Sequence, residues 1–339
     1  MTNTATGTIS SPSGSGIVMQ GGGTVINDGD VQALAGTGVL FSGTADGVLT
    51  NRGTIAGATG VTFGAGNDRL EMLAGSITGA VASWGGNDTL ILSGGQLDTV
   101  NQGDGDDRFE VSGGGVTGNV QQGNGVDDFL MTNGQVGSLS QGDSRDTFVM
   151  NNGRIVGVFE DGDTATMTGG RIGRVDMKLD NNLFDMSGGT IDGNLIAGFG
   201  HDTILLKNGY IGGNISVSGG NDVVTVTGGV VRGEVRVSFG DDAFTWDGGG
   251  IIYGAIDLGG DTDSATLRNL NASHLGALPL LSGGDGVDTL TFDNVSTSGV
   301  ARFANWETVN LTDDTELTFD GNLTLGDAAS RTGTLNVDA

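Results

Sequence analysis

Aspartate recurs at Asp68, Asp88, Asp107, Asp127, Asp146, Asp202, Asp222, Asp242, Asp263 and Asp288, with Asp163 and Asn182 completing the row. Each lies two residues before an apolar residue, and glycine precedes most of them by two, as in Gly66, Gly86, Gly105, Gly200 and Gly220. Carboxylates after glycine turns have two uses. They are hard oxygen ligands, which suits Ca²⁺. They also accept hydrogen bonds from backbone N–H groups and so hold a turn. If consecutive repeats stack as neighbouring strands, the carboxylates lie ~4.8 Å apart and repel one another unless solvated, protonated or bridged by cations. Arg69 and Arg108, next to the row, are expected to neutralise part of that charge.

The elements that position this row are set by a repeat of 19 to 20 residues, Asp-x-Φ-x-Φ-x4-Φ-x2–3-Φ, where Φ is apolar. The first slot holds Leu70, Leu90, Phe109, Phe129, Phe148, Phe184, Ile204, Val224 and Phe244. The third runs from Ile77 and Leu97 to Val231 and Ile251, and the fourth from Val81 and Val100 through Val158 to Ile256. Alternating apolarity marks strands, and Gly-Gly or Asn-Gly pairs such as Gly188-Gly189 and Asn208-Gly209 mark corners. A fixed period of this size means stacked coils of one supersecondary unit. The fold expected is all-β, a right-handed parallel β-helix. Residues 1–59 read as looser N-terminal coils, 60–300 as regular repeats with an insertion at 268–282, and 301–339 as C-terminal coils in a changed register.

Composition narrows the function. Glycine is 67 of 339 residues, about 20% against a norm of roughly 7%. Lys+Arg number 14 and Asp+Glu 41, a net charge of -27. Nucleic acid and anionic membranes are poor partners for such a chain. There is no cysteine, so stability must come from the repeat. No apolar run is long enough to span a bilayer, and the N-terminal residues lack the pattern of a signal peptide.

Residues Gly283–Thr291 match the nonapeptide G-G-x-G-x-D-x-U-x in full, and Phe63–Glu71, Gln102–Glu110 and Gln122–Leu130 match all but its first glycine. These turns resemble RTX-type β-roll repeats, a resemblance that implies Ca²⁺ on the aspartates. RTX arrays repeat the nonapeptide back to back; here one motif occurs per coil, so one edge at most would bind. The string LTNRGTIAG at 49–57, the GG-x-I-x-G-N-Φ segments and the tail FANWETVNLTDD resemble the passenger region of bacterial autotransporters. That implies display at the bacterial cell surface through a C-terminal outer-membrane barrel. It also implies a role in adhesion, aggregation or biofilm formation, toward a host-cell or surface glycan, a protein receptor or a second copy. A calcium-stiffened stalk, and a polysaccharide lyase or hydrolase on the same fold, are the alternatives.

No residue is assigned a catalytic role. His201 and His274 are far apart in the repeat order, and the pairs Asp106/Asp107 and Asp241/Asp242 fit the turn pattern as readily as a glycosidase pair. An enzyme would use the insertion, with Arg268 and His274. Trp84, Phe199 and Phe239 stand outside the four core slots. They are candidates for stacking on sugars or on a partner, with core or turn packing as the other reading.

Overall fold

The computed structural model describes residues 1–326 and 332–338, so residues 327–331 and 339 of the C-terminal segment lie outside it. The chain forms two compact units, Met1–Thr164 with Gly170–Ile172, and Ala165–Gly169 with Gly173–Ala339. Each is a parallel β-solenoid, as the period requires.

In the N-terminal unit, the short strands Gly47–Asn51, Arg69–Met72, Thr89–Leu92, Arg108–Val111, Asp128–Met131 and Thr147–Met150 pair in parallel, stacking Leu49, Leu70, Leu90, Phe109, Phe129 and Phe148. The other sides of each coil come from longer strands, such as Gln96–Asp104 and Gly115–Asn124, that shift register part-way along. Coils 1–59 join the same sheets, since Thr54 pairs with Ser76 and Val48 with Arg69. In the C-terminal unit each coil has three straight pieces, for example Leu183–Met186, Thr190–Ile191 and Leu195–Ile196. There Phe184, Ile204, Val224, Phe244, Ala265, Leu290 and Val309 stack in register.

Apolar residues that alternate along a strand share one face, and stacking turns that face into a dry core. Each fully buried aliphatic or aromatic side chain contributes roughly 1.5–3 kcal/mol. Phe129 and Phe148 lie 5.6 Å apart with rings 2° from parallel, and Phe148 and Phe159 lie 4.0 Å apart. Two core positions differ from the sequence pattern. Phe159, not Val158, takes the fourth slot, because the irregularity between Val136 and Leu139 moves the partner of Leu139 by one residue. Ile252, not Ile251, takes the third, pairing with Val231 after the extra glycine at Gly248–Gly250. The segment 268–282 is anchored on the stack at both ends: Arg268 pairs with Asp293, Asn271 is bridged to Ser296, and Leu281 pairs with Ile256 and Phe303. It holds one helical turn, Ala272–Leu275, capped by Asn271.

Polar ladders also run inside the coils. Asn3 Nδ2 donates to Asn27 Oδ1 and Asn27 Nδ2 to Asn51 Oδ1, both at 2.8 Å. Gln122 Nε2 donates to Gln102 Oε1 at 3.3 Å and Gln141 Nε2 to Gln122 Oε1 at 3.1 Å. These amides are buried; within each stack an amide donates to its neighbour, so Asn27, Asn51, Gln102 and Gln122 also accept, leaving Gln141 Oε1 at the end of its stack without a partner.

Candidate functional site

Asp68, Leu70 and Met72 are at alternate positions, and all three side chains point into the coil. The same holds for every aspartate of the row except Asp163, which is half-buried. Asp107 is 1% exposed and Asp127 0%. The arginines do not reach them: Arg69 pairs with Glu71, and Arg108 with Glu110 and Asp128. The expected neutralisation by these arginines is therefore corrected to outward ion pairs.

One oxygen of each carboxylate has a clear role. The backbone N–H of Asp68 donates to Asp88 Oδ1 at 2.7 Å, Asp88 to Asp107 at 2.7 Å, Asp107 to Asp127 at 2.8 Å and Asp127 to Asp146 at 2.8 Å; Asp146 donates to Asp163 Oδ2 at 2.8 Å. In the C-terminal unit the column runs from Asn182 through Asp202, Asp222, Asp242 and Asp263 to Asp288 in the same way. It ends on Glu307, whose Oε2 accepts from the Asp288 N–H at 2.8 Å. Glu307 was missed from the sequence, although Glu307-Thr308-Val309 repeats the acid-x-Φ spacing with glutamate for aspartate.

The second oxygen, Oδ2, of Asp68, Asp88, Asp107, Asp127, Asp146, Asp202, Asp222, Asp242 and Asp263 is buried without a hydrogen-bond partner. A buried ionised oxygen left unpaired is costly, so the carboxylate either keeps a proton or gains a cation. Burial accordingly pushes the pKa of Asp88, Asp146, Asp242 and Asp263 up to about 7, of Asp107 to about 8, and of Asp127 and Asp202 to about 6; the accepted backbone hydrogen bond pulls each partly back. Neighbouring carboxylates, such as Asp88 and Asp127 around Asp107, add to the rise.

Asn182 shows what the vacant valence wants. Its Nδ2 donates to Leu179 O and Asp180 O, both at 3.3 Å. An amide thus brings hydrogen atoms to turn carbonyls where an aspartate would bring a second oxygen. Oxygen against carbonyl oxygen needs a positive centre between them, a proton or a hard cation. Among the described residues, no three His, Cys, Asp or Glu side chains form a metal cluster. Any cation must therefore draw on turn carbonyls as well as carboxylates.

One residue before the column, a second row faces solvent. Asn67 Oδ1 accepts from Asn87 N at 2.8 Å and Asn87 Oδ1 from Asp106 N at 3.1 Å. Asn181 Oδ1 accepts from His201 N, His201 Nδ1 from Asn221 N, and Asn221 Oδ1 from Asp241 N, at 2.7, 2.7 and 3.2 Å. Asp106, Asp241 and His201 are thus rungs of an exposed turn ladder. His274 is a cap: its Nδ1 accepts from Asn271 N at 3.2 Å. Arg268 is paired with Asp293 and lies near Asp247.

Trp84, Phe199 and Phe239 are 73%, 64% and 68% exposed, which corrects the reading of core or turn packing. Trp84 borders an open depression of about 340 Å³ lined by Leu40, Ser42, Gly43, Thr62, Gly64 and Ala65.

No family model and no curated protein matches the chain. Among solved structures, it is similar to the X-ray crystal structure of a hyperactive, Ca²⁺-dependent, β-helical antifreeze protein from an Antarctic bacterium. The two are 21% identical with a TM-score of 0.50, over 83% of this chain and 84% of that one. At that identity the likeness establishes the parallel β-solenoid fold, and the fold alone.

Proposed function

We propose that this chain is a calcium-stiffened β-solenoid displayed outside the cell, a non-enzymatic scaffold that serves adhesion through its surface. The observation that carries the reading is the buried carboxylate column, in which Asp88, Asp107, Asp127, Asp146, Asp202, Asp222, Asp242 and Asp263 each commit one oxygen to backbone and hold the other without a hydrogen-bond partner. Those oxygens and the turn carbonyls are hard donors of the type Ca²⁺ takes, and extracellular modules hold it at affinities of about 10⁻⁴–10⁻³ M. Asp68, Asp88, Asp107, Asp127 and Asp146 would hold it in one unit, and Asp202, Asp222, Asp242, Asp263 and Asp288 in the other. The cation would supply positive charge and rigidity. The calcium dependence of the similar antifreeze structure is consistent with this use of the fold. Adhesion and surface display rest on the resemblance to autotransporter passengers.

The test is thermal unfolding in EDTA and then in millimolar Ca²⁺, with Mg²⁺ as control. A ligand bound only by the folded state raises stability with its concentration. With several sites, the expected rise is about 10 °C or more, specific to Ca²⁺. D127N should reduce that rise while raising the melting temperature in EDTA at pH 8. Identical melting curves in all three buffers would leave the column as turn structure and end the calcium reading.

A further inference from the structure

The column does not explain why large apolar side chains stand in solvent beside it. In the C-terminal unit, Leu179, Phe199, Gly219, Phe239 and Gly260 occupy one position of five consecutive coils, each bridged to the next. Leu179 is 63% exposed. A Cβ on Gly219 would meet Phe199 Cδ1 at 3.3 Å and Cε1 at 3.5 Å; one on Gly260 would meet the same edge of Phe239 at 3.8 and 4.0 Å. Each ring therefore turns one edge toward the glycine of the next coil. The rest of each ring is open to solvent.

Two coils separate the rings, ~9.6 Å at the usual strand spacing. Two residues beyond this row in each turn stand Asn181, His201, Asn221 and Asp241. The backbone holds Asn181 Oδ1, His201 Nδ1 and Asn221 Oδ1 as acceptors, which leaves the amide Nδ2 groups and imidazole Nε2–H as donors toward solvent. The surface is thus two exposed aromatic rings at a fixed interval, flanked by a row of hydrogen-bonding groups that ends on the carboxylate of Asp241.

We propose that this stripe binds an extended neutral glycan running along the stack. A pyranose offers an apolar C–H face to a ring and hydroxyls to the neighbouring row, and two linked sugars span about the interval between the rings. The net charge of -27 disfavours anionic polysaccharides. Gly219 separates the two rings, so their apolar surface is interrupted rather than the contiguous patch that marks a protein or membrane contact.

The experiment is calorimetric titration of the whole chain, in Ca²⁺ buffer, with cellobiose, cellohexaose and an oligogalacturonate. Cellohexaose, long enough to touch both rings, should bind at least ~10-fold tighter than cellobiose, and oligogalacturonate should not bind. F199A and F239A should each weaken cellohexaose about three- to tenfold, with unchanged circular dichroism; L34A, an exposed residue of the other unit, should not. N221D keeps the Oδ1 acceptor but loses the donor, and should weaken binding severalfold. No binding of either neutral sugar at millimolar concentration, equal affinity for both lengths, preference for oligogalacturonate, or indifference to both phenylalanine changes would each overturn the proposal. None of these outcomes bears on the calcium column.

Discussion

At the scale of the residue, the column is an acid–base device. Asp107 and its neighbours hold their protons to about pH 6–8 when folded, and ordinary aspartate loses its proton near 3.9. Between those values the folded chain binds more protons than the unfolded chain, so stability falls as pH rises. In EDTA this contribution should be greatest near pH 4 and be lost progressively as pH rises to 6–8. Ca²⁺ competes with the proton and should flatten or reverse that slope. Melting curves in EDTA and in Ca²⁺ at pH 5 and pH 8 check this; equal melting temperatures at both pH values in EDTA would mean the buried oxygens are not protonated. The inward direction of Asp68 follows from its alternation with Leu70 and Met72, yet a sequence alone cannot guarantee that a residue after glycine stays on the strand's two-fold period. Acidic residues are rarely buried, so composition points the other way.

At the scale of the element, corners set the tolerance to change. Gly189 has φ 89°, and a Cβ there would lie 2.5 Å from Met167 Cε. The buried methionine fills the space that a side chain at the corner needs. G189A should therefore cost about 1–3 kcal/mol, from the left-handed backbone and the displaced thioether together. A denaturant titration measures it; a change below the error of the titration would mean the corner relaxes freely. The strands themselves were legible, because four apolar slots recur in every coil. What was not legible is where a coil gains a residue. Phe159 and Ile252 take slots assigned to Val158 and Ile251, since adjacent apolar residues fit one period equally and only the bulge chooses between them. The Asn3–Asn27–Asn51 and Gln102–Gln122–Gln141 ladders were invisible for another reason. A single amide per coil looks like surface until its stacked partners are known. Exposed Phe199 and Phe239 were readable only as residues off the core slots; their interval appears once Gly219 is placed between them.

At the scale of the whole molecule, charge governs association. A net charge of -27 keeps copies apart at low salt. If adhesion proceeds by self-association, divalent cations must bridge acidic surfaces such as those of Asp104, Asp106 and Asp128. Sedimentation should then show larger species in millimolar Ca²⁺ and none in NaCl of equal ionic strength. A single monomeric species in both would count against self-association and leave a foreign partner as the target.

The amide ladder at Asn3, Asn27 and Asn51 carries one more consequence, for kinetics. Stacked repeats form by growth on a nucleus, and the nucleus is the slow step. These coils close their inner polar positions with groups that need neither a proton nor an ion. The next coil, that of Asp68, packs directly on this edge, with Asn51 Nδ2 3.2 Å from Met72 Sδ. If folding nucleates on these coils, its first step should be insensitive to acidity and calcium, whereas coils added beyond them should form at a rate that depends on both; refolding followed by stopped flow at pH 5 and pH 8, with and without Ca²⁺, measures the difference.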